Sequence, residues 1–217
     1  MLKALIFDMD GVLIDSMRYV WDSFNEILHK QGIRFTDEDI SRFMGRSLRD
    51  QMKIWVDEYG FEGYDFESFS REAGEIELRR MEEELPHDEA LIRFLDDARA
   101  HGLMLAVATS SMKWRAERIL DLLGIRDRFS AIVTADDVEN HKPDPDVFLK
   151  AADHLGVDPA DCVVFEDAAN GIMAAKNAGM KAIGIRTPYH SEGELQHADH
   201  LINDFSDVSI DRIEYLF

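Results

Sequence analysis

Leu2-Lys3-Ala4-Leu5-Ile6-Phe7-Asp8-Met9-Asp10-Gly11 is an apolar run that closes on two carboxylates and a glycine. Leu2–Phe7 is near-continuously apolar rather than alternating, the pattern of a strand covered on both faces of a parallel sheet. Asp8 and Asp10 stand two apart, so at the carboxyl end of a strand they share one side. Gly11 permits the tight turn needed to leave the sheet. Taken alone, the segment also fits a charged turn after a buried strand.

Working outward, the same pattern recurs. Leu103–Ala108, Ala131–Thr134, Val163–Phe165 and Ala182–Ile185 are short apolar runs that read as strands. Between them, Ala116, Ile119, Leu120 and Leu123 recur at helical spacing, as do Val147, Phe148, Ala151 and Leu155. Gly102, Gly124, Gly156 and Gly179 follow such segments, where helices commonly end. Helix, glycine, apolar strand is the rhythm of a repeated βα unit. It predicts an α/β fold with a doubly wound, mostly parallel, Rossmann-like sheet.

Residues 16–85 break the rhythm. Val20, Phe24, Ile27 and Leu28 mark one amphipathic helix, and Phe66, Phe69, Ala73 and Ile76 another, with no convincing strand between. The expected organisation is a core of residues 1–15 and 86–217 with an all-helical insert at 16–85. The core is long enough to bury its own apolar interior.

Composition narrows the classes of function. The chain is 217 residues long, 46% hydrophobic and 31% charged, which excludes collagen-like and wholly disordered readings. Cys162 is the single cysteine, so no intrachain disulfide exists, and it reads as a small buried apolar residue. The apolar run at the start is too short for a signal peptide, and nothing approaches the ~20 apolar residues of a membrane span; a cytoplasmic location is expected. Trp21, Trp55 and Trp114 read as packing anchors, and the eight histidines show no metal-ligand spacing.

The formal charge is −20, from 44 acidic and 24 basic residues. Such a field opposes nucleic-acid backbones and anionic membranes. Residues 57–89 alone hold 13 acidic and 3 basic residues, which reads as a solvated outer face of the inserted helices.

Three further segments bear on chemistry. Thr109-Ser110-Ser111 follows a core strand and precedes a helix, where hydroxyls cap the helix or backbone N–H groups receive an anion. His141-Lys142-Pro143-Asp144-Pro145 precedes an amphipathic helix, and a lone loop lysine is ordinarily solvated. Glu166-Asp167 follows Val163–Phe165, where acids also suit a helix start.

Taken in order, these residues resemble the haloacid dehalogenase superfamily of phosphotransferases. The match lies in Asp8-Met9-Asp10-Gly11-Val12, Thr109, Lys142 and Glu166-Asp167, and in the runs Lys142-Pro143-Asp144-Pro145-Asp146-Val147-Phe148 and Phe165-Glu166-Asp167-Ala168-Ala169-Asn170-Gly171-Ile172. It covers essentially the whole chain, with 16–85 as the family's helical cap, and is nearest to the branch of small-molecule phosphatases and β-phosphoglucomutase.

The resemblance implies that Asp8 is the nucleophile, forming an aspartyl-phosphate, and that Asp10 protonates the leaving oxygen and later activates water. It implies Mg²⁺ held by Asp8, the Asp10 carbonyl and Asp167, with Glu166 as an additional ligand or behind the ligands. Lys142 and that ion are expected to hold Asp8 ionised. Thr109 and the Ser110 N–H would hold the phosphoryl oxygens, with Lys142 offsetting their charge. Dehalogenases and phosphonate-cleaving members lack an acid matching Asp10, so the expected substrate is a phosphomonoester, a small phosphorylated metabolite. A monomer is expected, since a mobile cap needs no partner to close the site.

Two departures favour a phosphatase over a mutase. The mutases usually carry a histidine where Val20 stands, and read Gly-x-Ser-Arg where this chain has Gly45-Arg46-Ser47-Leu48. Arg46 and Arg49 are the candidate cap residues for the substrate's distal part. The remaining alternative is a phosphoester-binding protein that has lost catalysis, against which intact Asp8, Asp10, Lys142 and Asp167 speak.

Overall fold

Six strands, β1 (Ala4–Phe7), β2 (Met104–Ala108), β3 (Ala131–Val133), β4 (Cys162–Glu166), β5 (Lys181–Ile185) and β6 (His200–Ile202), form one sheet in the order β3-β2-β1-β4-β5-β6. Every pairing is parallel. The computed structural model describes residues 1–36, 39, 42–43, 48–84, 88–189 and 192–215. Its helices are α1 (Met17–His29), α2 (Leu48–Tyr59), α3 (Phe66–Glu84), α4 (Glu89–Ala100), α5 (Lys113–Leu122), α6 (Asp146–Leu155), α7 (Ala169–Asn177) and α8 (Ile210–Glu214). The expected doubly wound α/β fold is present.

Two compact units make up the chain, Met1–Asp15 with Pro86–Phe217, and Ser16–Leu85. In the first, strand alternation sends Ala4 and Ile6 to one face and Leu5 and Phe7 to the other. The Ala4 face packs with Val147, Phe148 and Ala151 of α6 and Ile172 and Ala175 of α7. On the Phe7 face, Phe7, Phe94, Phe165 and Phe205 form an aromatic cluster, with Phe7 and Phe165 stacked at 4.9 Å with nearly parallel rings. They are register partners on β1 and β4, so the stack ties the two central strands together at their carboxyl ends. Helix α6 stops at Gly156, whose left-handed backbone (φ 68°) a side chain would strain.

The second unit carries α1, α2 and α3, and no strand among its described residues. Trp21, Phe24, Ile27, Trp55, Phe61 and Phe69 are among the residues of its own core. Helix α2 escaped the periodicity reading because its buried residues, Gln51, Met52 and Trp55, include a glutamine. Strand β6 was also missed. Of its three residues only Ile202 is buried, so it carries almost no apolar signal.

Two expectations need correction. Trp21 and Trp55 are buried, but Trp114 is 43% exposed on α5 and anchors nothing in the core. The acidic stretch is not uniformly a solvated face: Glu77 is 4% exposed, and Glu72 receives hydrogen bonds from Lys30 and Tyr64. Cys162 is fully buried, and burial pushes its thiol up to about 12, as expected of an inert residue. No helix among the described residues is long and apolar enough to cross a membrane.

Candidate active site

Because all strands run parallel, their carboxyl ends share one edge, and β1 lies between β2 and β4 where the winding reverses. In open α/β sheets ligands bind at such a point. Asp8 leaves β1 there, with its N–H donating to the Phe165 carbonyl at 2.9 Å. Thr109 leaves β2, with its N–H donating to the Val133 carbonyl at 3.0 Å. Glu166 ends β4 and Asp167 follows. The topology therefore gathers segments from distant parts of the sequence.

Lys142 reaches this edge from the loop before α6, and it is not the solvated lysine that loops usually carry. Its side chain is 8% exposed, with Nζ 2.5 Å from Asp8 Oδ1 and 2.8 Å from Glu166 Oε2. It also donates to the Ala108 carbonyl at 3.2 Å. A buried ammonium persists only when paired and hydrogen-bonded. Asp8 and Glu166 hold it protonated, far above the ordinary lysine range.

Glu166 is engaged at both oxygens. Oε2 receives Lys142, and Oε1 receives the backbone N–H groups of Asp167 and Ala168, each at 3.1 Å. It thus fixes the turn into α7 as well as the lysine. Gly171 makes this fit possible, since a Cβ there would stand 1.9 Å from Glu166 Oε2. Gly11 does the same for Asp167, at 2.0 Å from Oδ2, and its φ of 82° also favours glycine.

Asp8, Glu166 and Asp167 are all buried, and one oxygen from each lies within 4.8 Å of the others. Burial, together with the neighbouring acids, pushes Asp8 up to about 7 and Asp167 up to about 9. Lys142 pulls Asp8 down but does not outweigh burial, so the expectation that Asp8 stays ionised needs a further positive charge. The donor set is all oxygen and overly negative, which fits a hard divalent cation such as Mg²⁺.

Asp10 stands beside this cluster, and its charge adds to the upward push on Asp8 and Asp167. Arg115 binds it through both guanidinium nitrogens, 2.8 Å to Oδ1 and 2.8 Å to Oδ2, and Ser111 Oγ donates to Oδ2 at 2.7 Å. Neither Ser111 nor Arg115 was among the expected residues. Ser111 precedes the N-cap of α5 and Arg115 lies in its first turn, so helical periodicity does not link the two, and Asp10 is distant in sequence.

Thr109 is buried and its Oγ1 accepts the Ser111 N–H at 3.0 Å. The N-cap of α5 is Met112, with no side-chain cap, and the Lys113 N–H is instead taken by Asp136. The hydroxyls of Thr109 and Ser111 therefore shape the loop rather than cap the helix. Ser110 is exposed beside them. In the helical unit, Arg49 lays its guanidinium over the Phe66 ring at 3.7 Å. Arg46 lies outside the described residues.

Residues 5–185 match the family model described as haloacid dehalogenase-like hydrolase. Among curated proteins, validoxylamine A 7'-phosphate phosphatase of Streptomyces hygroscopicus subsp. limoneus is 32% identical over 209 residues, spanning 96% of both chains. The β-phosphoglucomutase of Bacillus subtilis is 32% identical over 220 residues, spanning 97% of this chain and 93% of its own. Among solved structures, β-phosphoglucomutase from Clostridium difficile superposes with a TM-score of 0.80 at 25% identity, covering 99% of this chain and 96% of that one.

Proposed function

Since the chain belongs to the haloacid dehalogenase-like hydrolases and is an enzyme of that family, we propose that it is a Mg²⁺-dependent phosphatase that hydrolyses a small phosphomonoester, such as a sugar phosphate, through an aspartyl-phosphate on Asp8. The observation that carries this reading is the buried trio Asp8, Lys142 and Glu166, with Asp167 beside it. A carboxylate next to a fixed ammonium, among acids able to hold a cation, suits attack on an electron-rich phosphoryl group.

Asp8 attacks phosphorus in line with the ester oxygen. The phosphorus–oxygen bond breaks, and the leaving oxygen takes a proton from the Asp10 carboxyl. Water then attacks the aspartyl-phosphate and gives its proton to Asp10, so phosphate leaves and Asp8 is restored. Lys142 offsets charge on the phosphoryl oxygens, and Thr109 with the Ser110 N–H holds them. Asp8, Asp167 and the Asp10 carbonyl would hold Mg²⁺, with Glu166 steadying Lys142 behind them. When bound, the ion supplies positive charge that screens nucleophile from substrate.

We assign residues 16–85 to a cap that selects the substrate, with Arg46 and Arg49 as its candidate contacts, in a cytoplasmic monomer with no nucleic-acid or membrane partner. A second reading, a sugar-phosphate mutase, is favoured by the β-phosphoglucomutase relative. Val20, where the mutases usually carry histidine, favours hydrolysis.

Phosphate release across sugar phosphates, nucleotides and phosphoglycolate, with and without Mg²⁺, tests the proposal. Turnover that requires Mg²⁺ and vanishes in Asp8→Asn is the expected result. A wild type inactive on the whole panel, or an active Asp8→Asn, overturns it. Product identification with β-glucose 1-phosphate separates mutase from phosphatase.

A further inference from the structure

The fork between Arg115 and Asp10 is not part of the chemistry described above. Asp10 is the more exposed of the two, with its side chain 30% open against 13% for Arg115. Arg115 comes from the first turn of α5, 105 residues along the chain, yet its two terminal nitrogens meet the two carboxylate oxygens at equal distance. The same guanidinium contacts Ser111 Oγ at 2.5 Å, and Ser111 itself donates to Asp10. Two groups, through three hydrogen bonds, thus define where a short side chain points.

Bidentate pairing fixes the plane of a carboxylate as well as its position, which a lysine cannot do. Asp10 sits in the turn after β1, where Gly11 N–H donates to the Ile14 carbonyl at 2.8 Å, so the backbone of this turn is already held. What the backbone leaves open is the side-chain rotamer. That is the variable on which proton transfer to a leaving oxygen depends, because a small misplacement of a catalytic group costs orders of magnitude in rate.

We propose that Arg115 is a positioning residue, which fixes the plane of the Asp10 carboxyl; for the acid step one oxygen exchanges its Arg115 hydrogen bond for the proton that it then passes to the departing oxygen. The inference rests on Asp10 acting as acid and base, as proposed above. On this reading Arg115 acts through Asp10 rather than on the phosphoryl or leaving group. The step it supports is the one in which the phosphorus–oxygen bond breaks and the leaving oxygen gains its proton.

Leaving-group dependence tests this directly. A p-nitrophenolate leaves without help from an acid, whereas a sugar alkoxide needs the proton. In Arg115→Met, kcat/KM for the best sugar phosphate should fall about 100-fold, the scale of general acid catalysis. For p-nitrophenyl phosphate it should change less than about threefold, and the inhibition constant of inorganic phosphate should stay within about twofold. Arg115→Lys should recover part of the loss, and Arg115→Met should add little in an Asp10→Ala background.

Equal losses on both substrates would mean a structural role, and weakened phosphate inhibition would mean a role in binding the substrate. Undiminished sugar-phosphate turnover would mean no role. Each outcome overturns the proposal. Asp8→Asn and Asp10→Ala run alongside: an active Asp8→Asn refutes the phosphatase mechanism itself. Inactive Asp8→Asn with no split in Arg115→Met refutes only the positioning role.

Discussion

Lys142 Nζ lies between Asp8 and Glu166, 2.5 Å from one carboxylate and 2.8 Å from the other. It joins the loop before α6 to the ends of β1 and β4, so its loss would affect structure and chemistry together. Lys142→Met leaves two buried acids without their ammonium, and breaking a buried pair from one side costs about 3–5 kcal/mol. Phosphate release should fall by more than about 100-fold, and urea denaturation should show the stability loss. Unchanged stability would mean that the acids shed their charge at no cost.

The acids also predict how stability depends on pH. In the folded, metal-free chain, burial keeps Asp8 protonated up to about 7 and Asp167 up to about 9, against an ordinary carboxyl value of 3.8. The folded chain therefore holds protons that the unfolded chain has released. This contribution is complete below about pH 4 and is lost as pH rises through about 7 and then about 9. Mg²⁺ should offset the resulting repulsion, so the Mg²⁺-induced rise in Tm should grow from about pH 5 to about pH 9. Thermal melts in Mg²⁺ and in EDTA across that range provide the measurement.

Gly171→Ala separates local fit from helix propensity. Alanine in the first turn of α7 ordinarily favours a helix by up to ~1 kcal/mol. Here its Cβ would stand 1.9 Å from Glu166 Oε2 and displace the carboxylate that holds Lys142. Tm should fall instead of rising, and Mg²⁺-dependent turnover should drop by at least about tenfold. Calorimetry and phosphate release check the two parts.

The stack of Phe7 on Phe165 lies directly beneath the acids that follow each strand. Phe7→Ala should cost about 3–5 kcal/mol, because both rings are fully buried and the cavity would open on the sheet face among Phe94, Phe129, Phe165 and Phe205. Phe7→Leu should cost less than half as much, measured by chemical denaturation.

Much of this arrangement could be read before the fold was described, for a physical reason. Strands buried on both faces must be continuously apolar, so β1, β2 and β4 announce themselves, and the polar residues directly after them fall at the sheet's ligand-binding edge. Asp8, Thr109 and Glu166-Asp167 were visible that way. Lys142 was legible only by resemblance, since nothing local distinguishes a loop lysine that folds inward to 8% exposure from one that stays in water. Arg115 was not anticipated because an arginine in a first helical turn is ordinarily a surface residue, and its partner Asp10 is 105 residues away. Strand β6 and the burial of Glu77 depend on what packs against them, which local pattern does not encode.

Gly11 and Gly171 each face a carboxylate across a gap that no β-carbon can enter. Each glycine and its acid therefore form a linked pair in the history of the chain: neither can change without the other giving way. For Gly171 the shortest escape is a shorter acid, Glu166→Asp together with Gly171→Ala, and that change would withdraw the carboxylate from Lys142. A lineage that abandoned turnover would be released from both glycines at once. One that kept it would show four intolerant positions where side-chain chemistry alone accounts for two.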